Sequence, residues 1–157
     1  MLEYQVPTVP LAAEVWCADG RSLAGRIFVP ACASVHGGRM RPEEWINQAH
    51  PFFPFEAHGS KERLVLNKPE VVALTVAAED DEDEESDEAD GMPVCRVAIE
   101  VGGRRFGGTL VIDMPPNQRR VVDFLNRPDA FLTLRDGRHH HLIQKARIAR
   151  VIEDLEA

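Results

Sequence analysis

The sequence predicts a mainly β fold with short helices: two tandem five-stranded small β-barrel modules related by internal duplication and packed as a pseudo-dimer. Three observations carry this. First, Val97 to Ile112, VAIEVGGRRFGGTLVI, alternates apolar and polar residues up to Gly102-Gly103, then leaves the turn through Phe106, Leu110 and Ile112. That alternation around a glycine turn is the signature of a β-hairpin. Second, the pattern already occurs at Glu14 to Val29, EVWCADGRSLAGRIFV, with Asp19-Gly20 at the turn. Both copies place Gly-Arg at the turn exit and a further glycine, Gly25 or Gly108, downstream. Third, the copies stay in step along the chain. Gly20 aligns with Gly103 at an offset of 83, Asn47 with Asn126 and Phe52 with Phe131 at 79, and Lys68 with Lys145 at 77. The offset changes only between predicted elements, where insertions are tolerated.

Each element has a local reason. Residues 1–10 hold two prolines and few apolar residues, which predicts an extended lead-in. Strands are expected over 11–18 and 21–31, followed by a loop of small residues over 32–41. Pro42-Glu43-Glu44 opens a short helix through Trp45, Ile46 and Asn47, because proline suits the first helical turn and acids favour its positive dipole end. Pro51 stops it. Phe52 to Glu56 reads as a strand whose Pro54 calls for an edge or bulge position. Strands at 63–66 and 71–77 complete the first module, 11–78. The second module, 93–157, repeats the order: a hairpin over 94–112, a helix from Pro115-Pro116-Asn117 through Val121, Val122, Phe124 and Leu125, then strands at 131–135, 139–144 and 147–152. Asn47 and Asn126 close the two helices, a position where asparagine tolerates the left-handed backbone of a cap. Trp45 and Phe124 are expected to plug the two barrels.

Between the modules lies residues 79–92. Positions 79–90, EDDEDEESDEAD, carry ten acids and no base. Like charges at that density repel and offer nothing to bury, so a disordered linker is expected. The run also explains the net charge of −8. Without it the chain has 18 bases against 16 acids, and from Gly91 onward 11 against 8. Its proximity to a basic module allows it to act as a tethered anionic competitor, although a solubilising spacer is the simpler reading. With 44% apolar and 28% charged residues the composition is that of a globular protein. No apolar run approaches the roughly 20 residues of a membrane span. No basic segment followed by an apolar stretch opens the chain, so no signal peptide and no membrane partner are expected. Cys17, Cys32 and Cys95 are odd in number and form no CxxC pair, which suits reduced thiols in the cytoplasm.

The opening strands, apolar-x-Ile-x-apolar, glycine, then apolar-x-Gly-x-apolar, resemble those of Sm-like (Hfq-type) proteins. So does the closing stretch from Lys145 through Ala146, Arg147, Ile148 and Ala149 to Arg150 and Val151, which is similar to an Hfq segment of lysine, two residues, isoleucine, two residues and valine. The resemblance covers about half of each module and implies a small barrel, without carrying an RNA function over with the fold. The chain departs from it by a helix between the second and third strands. It also carries Ala146 where Hfq has a histidine that contacts RNA.

No nucleophile-base constellation, carboxylate pair or Walker loop is present, so an enzyme is not expected and no cofactor is implied. The glycines of Gly102 to Gly108 lead into a strand, not the helix N-terminus that a phosphate cradle needs. Four groups remain. Phe52, Phe53 and Phe55 form an aromatic patch suited to docking or to the core. Arg104, Arg105, Arg119 and Arg120 make the second module basic and suit carboxylate or phosphate recognition. His139 and His141 share a strand face and could hold a metal together, with no third ligand at a recognisable spacing. Finally, strand edges accept partner strands. The expected function is therefore a non-catalytic cytoplasmic adaptor or accessory subunit binding protein partners through edges or the aromatic patch, with a homo-oligomer among the assemblies allowed. The alternatives are an Sm-like RNA-binding module using the basic second half and a metal-binding protein at the histidines.

Overall fold

The computed structural model describes residues 7–31, 40–60, 62–78 and 92–153. The acidic run and Cys32 lie outside the described residues. The N-terminal half comprises β1 (Thr8–Cys17), β2 (Ser22–Pro30), α1 (Pro42–Ile46), β3 (Phe52–Ala57), β4 (Arg63–Asn67) and β5 (Val71–Ala77). The C-terminal half comprises β6 (Val94–Val101), β7 (Arg104–Val111), α2 (Val121–Leu125), β8 (Phe131–Asp136), β9 (His139–Gln144) and β10 (Ile148–Glu153). All ten strands pair antiparallel in one sheet, in the order β10-β6-β7-β8-β9-β5-β1-β2-β3-β4. Within each half the last strand flanks the first, followed by the second, third and fourth.

The sheet is open, which corrects the expectation of two separately closed barrels. Among the described strands, β4 pairs only with β3 and β10 only with β6. β5, which would have to meet β4 to close the first half, pairs instead with β9 through Ala73↔Ile143, Leu74↔Leu142 and Thr75↔His141. The physical reason lies in β5 itself. Val71, Leu74 and Val76 face one core cluster while Val72 and Ala73 face the other. A strand apolar on both faces is best placed centrally, with neighbours on both edges and cover on both sides. Leu142 and Ile143 of β9 split between the same two clusters, so the two strands bind the halves together.

The hairpins form as the sequence predicts. β1 and β2 pair from Thr8↔Pro30 to Trp16↔Ser22, and β6 and β7 from Val94↔Val111 to Val101↔Arg104. Gly20, Gly102 and Gly103 have positive φ at these turns. Gly25 and Gly108 serve a different end. A Cβ would lie 2.1 Å from the Glu56 carbonyl oxygen at Gly25 and 2.3 Å from that of Arg135 at Gly108. These are the places where β2 meets β3 and β7 meets β8, through short ladders at Gly25↔Ala57, Arg26↔Glu56 and Thr109↔Arg135. The close backbone approach admits only glycine.

Two boundaries shift. β1 begins at Thr8, inside the predicted lead-in, and Pro10 is accommodated because β5 covers β1 only from Ala13 onward. Pro54 likewise sits where β3 has β4 on one side and β2 no longer on the other. The helices are single short turns. Trp45 is buried and meets the Phe53 ring edge-on at 5.1 Å, whereas Phe124 is only half-buried, and with the sheet open neither seals a closed barrel.

Candidate functional site

The aromatic patch is divided by strand alternation. Phe53 and Phe55 point into the first core cluster and are buried, so they are packing residues and not a docking surface. Phe52 points the other way and is 56% exposed. Beside it runs β4, whose Val65 is 69% exposed. The far end of the sheet has the same character, with Ile152 on β10 39% exposed. Apolar side chains therefore stand exposed on both strands whose outer edges no described strand occupies.

The four arginines do not act as one group. Arg104 donates to the Gly20 carbonyl at 3.1 Å and lies over the Trp16 ring at 4.4 Å, tying the two hairpin turns together. Arg119 donates to the Met114 carbonyl at 3.2 Å. Arg120 grips Asp123 with two bonds of 2.9 and 3.0 Å, which raises the guanidinium pKa and lowers that of the carboxyl. Arg105 is exposed on β7.

The histidines are likewise occupied or apart. His141 is buried at the β5–β9 junction, with Nδ1 2.7 Å from Thr75 Oγ1 and Nε2 3.2 Å from Asp136 Oδ2. Thr75 Oγ1 also accepts a bond from the Trp16 indole at 3.1 Å. Both ring nitrogens of His141 are thus engaged in a polar chain, and a metal would have to displace one of them. His139 is exposed. No group of three potential metal ligands occurs among the described residues.

The most elaborate polar arrangement binds the two halves, and its cross-half reach was not read from the sequence. Asn47 Oδ1 accepts the Phe131 N–H at 2.8 Å, and its Nδ2 donates to the Phe131 carbonyl at 3.2 Å. The same Nδ2 donates to the Glu43 carbonyl at 2.9 Å. Its φ is −86°, so the left-handed cap expected of it is not adopted. Asn126 has φ −82° and is not left-handed either. Gln144 Nε2 reaches back to the Lys68 and Val71 carbonyls at 2.8 and 2.9 Å. Arg147 donates to the Pro69 carbonyl at 2.8 and 2.7 Å. The one clue in the sequence was the repetition of asparagine at both helix ends.

Two clefts flank this junction. One, of about 560 Å³, has Lys68 and Lys145 in its wall. Each lysine donates to carbonyls at the C-terminal end of a helix: Lys68 to Gln48 at 2.9 Å, Lys145 to Arg127 at 2.8 Å and Leu125 at 3.3 Å. Burial lowers the pKa of both ammonium groups. The other cleft, of about 400 Å³, has Glu43, Arg127 and Arg135 in its wall. Burial pushes the Glu43 carboxyl above its usual range, with smaller opposing contributions from its own backbone and Arg41. No helix among the described residues is long and apolar enough to cross a membrane. Comparison of the chain with family models, curated proteins and solved structures yields no match.

Proposed function

We propose that this protein is a non-catalytic, cytoplasmic accessory subunit that binds protein partners by adding a strand to the open edges of its sheet. The two halves are taken as copies of one module. The observation that carries the reading is Val65, an apolar side chain 69% exposed on a strand whose outer edge no described strand occupies. A long exposed apolar edge is an aggregation hazard unless something covers it, and strand addition is the usual way such an edge is used. Phe52 supplies an adjoining apolar contact. Cys17, a free thiol, suits a reducing compartment.

Selection of a displayed library of extended peptides against the full chain tests this. Peptides with alternating apolar residues are expected, and Val65→Asp should abolish their binding while leaving the far-ultraviolet circular dichroism unchanged. Failure to select any such peptide, or binding indifferent to Val65→Asp, overturns the reading.

A further inference from the structure

We infer that the occupant of the β4 edge is the β10 edge of a second copy of this chain, so that copies join head to tail through a repeat of the β5–β9 junction. This rests on the edge-binding reading above and names its partner.

The argument begins with correspondence. An offset of 77 carries β9 onto residues 62–67, which include β4, and carries β10 onto residues 71–76 of β5. Inside one chain, β5 of the first half pairs with β9 of the second. The corresponding strands left over are β10 of the second half and β4 of the first, and both are the open edges. Transposing the observed register, Leu74↔Leu142 becomes Val151↔Val65, Thr75↔His141 becomes Ile152↔Leu64, and Val76↔His140 becomes Glu153↔Arg63. These three transposed pairs are apolar against apolar or acid against base; of the other two, Ala73↔Ile143 becomes Arg150↔Leu66, and Ala77↔His139 falls on residue 154, outside the described residues.

The burial of matched residues fits that vacancy. Leu142 is fully buried within the chain, and its counterpart Val65 is 69% exposed. Phe131 is 4% exposed because it enters the core of the other half, and its counterpart Phe52 is 56% exposed. The polar clamps match as well. Asn47 holds the Phe131 backbone across the junction. Asn126, its counterpart, makes no such bond among the described residues, and a neighbouring copy would bring the Phe52 backbone to it. Asn67, an amide one methylene shorter, stands where Gln144 does. Val65, Phe52 and Asn126 thus each have a complement in the neighbouring copy. The two edges differ from each other, so the contact is heterologous and propagates in one direction, closing into a ring or continuing as a filament.

Sedimentation of the purified full chain over a dilution series tests the inference. The expected result is a mass at an integral multiple of the monomer, with Val65→Asp monomeric and unchanged in circular dichroism. Arg63→Glu and Glu153→Arg, each opposing like charges across the new ladder, should weaken association by about fivefold, roughly 1 kcal/mol. The double reversal R63E/E153R should restore it. A monomeric wild type at all concentrations overturns the inference, as does an assembly indifferent to Val65→Asp or a double reversal no tighter than its parents. A monomer that still captures edge peptides in a Val65-dependent manner removes only the second copy as partner. Loss of both removes edge recognition too.

Discussion

The centre of the sheet and its two ends use the same kind of strand under opposite conditions. At the centre, β5 and β9 have a neighbour on each edge and apolar cover on both faces, so Leu74, Leu142 and Ile143 are fully buried. At the ends, β4 and β10 have one neighbour each, and each carries an exposed apolar side chain, Val65 and Ile152. Sequence character changes little between these strands: RLVLN and IARVIE are hardly less apolar than a strand beginning with three histidines. A residue's burial here depends on the face it takes and on whether its strand has a partner, and the second is a property of topology and not of local composition.

The contrast predicts its own rupture points. The largest effect belongs to Leu142→Ala, which opens a cavity where both cores meet. Its cost should be about 3 kcal/mol, against roughly 0.5 kcal/mol or less for Val65→Ala in the dilute monomer, read from urea unfolding midpoints. A comparable reduction by Val65→Ala would show that the edge already contributes to the monomer's stability. Next, Gly108→Ala forces a Cβ to within 2.3 Å of the Arg135 carbonyl oxygen. It should cost about 2 kcal/mol or more through backbone displacement. Gly107→Ala, with nothing within 4 Å, provides the control, and thermal unfolding distinguishes them.

The third test separates the paired asparagines. Asn47→Ala removes the bonds to Phe131 and leaves part-buried backbone groups unsatisfied, for a loss of about 1–2 kcal/mol. Asn126→Ala should leave the dilute monomer nearly unchanged. Equal losses would mean that the two positions are both intramolecular caps. The smallest effect concerns Glu43. Its folded-state pKa lies above the unfolded value because burial disfavours the carboxylate. The associated stabilisation is therefore present below the ordinary carboxyl pKa and lost as pH rises through the raised folded value. Glu43→Gln removes that loss. The variant should be the more stable protein at neutral pH, with its advantage vanishing as the medium is made acidic enough to protonate the wild-type side chain. An advantage that persists unchanged into acid would assign it to something other than ionisation.

The local order of strands and turns was legible because each element carries its own signal. Alternation fixes the hairpins β1–β2 and β6–β7, glycines mark their turns, and prolines at 42, 51 and 54 bound the first helix and the strand after it. The role of Gly25 and Gly108 was half legible: a bend was readable, but the carbonyl oxygens they make room for come from strands more than 20 residues away. The candidate site was less so. Phe52, Phe53 and Phe55 form one patch in sequence and two environments in space, because successive strand residues point to opposite faces. Asn47 looked like a local cap, and its partner Phe131 lies 84 positions downstream. His139 and His141 share a strand face, yet His141 is held by Thr75 and Asp136.

By itself, then, the sequence determined that the chain is rich in antiparallel strands and where most of them lie. These follow from side-chain period and turn stereochemistry, which act over a few residues. Only the tertiary structure decided that β5 joins β9 and leaves β4 open. That choice depends on which edges meet once both halves are present, and a strand's own residues describe its faces but not the neighbour that its backbone hydrogen bonds will find.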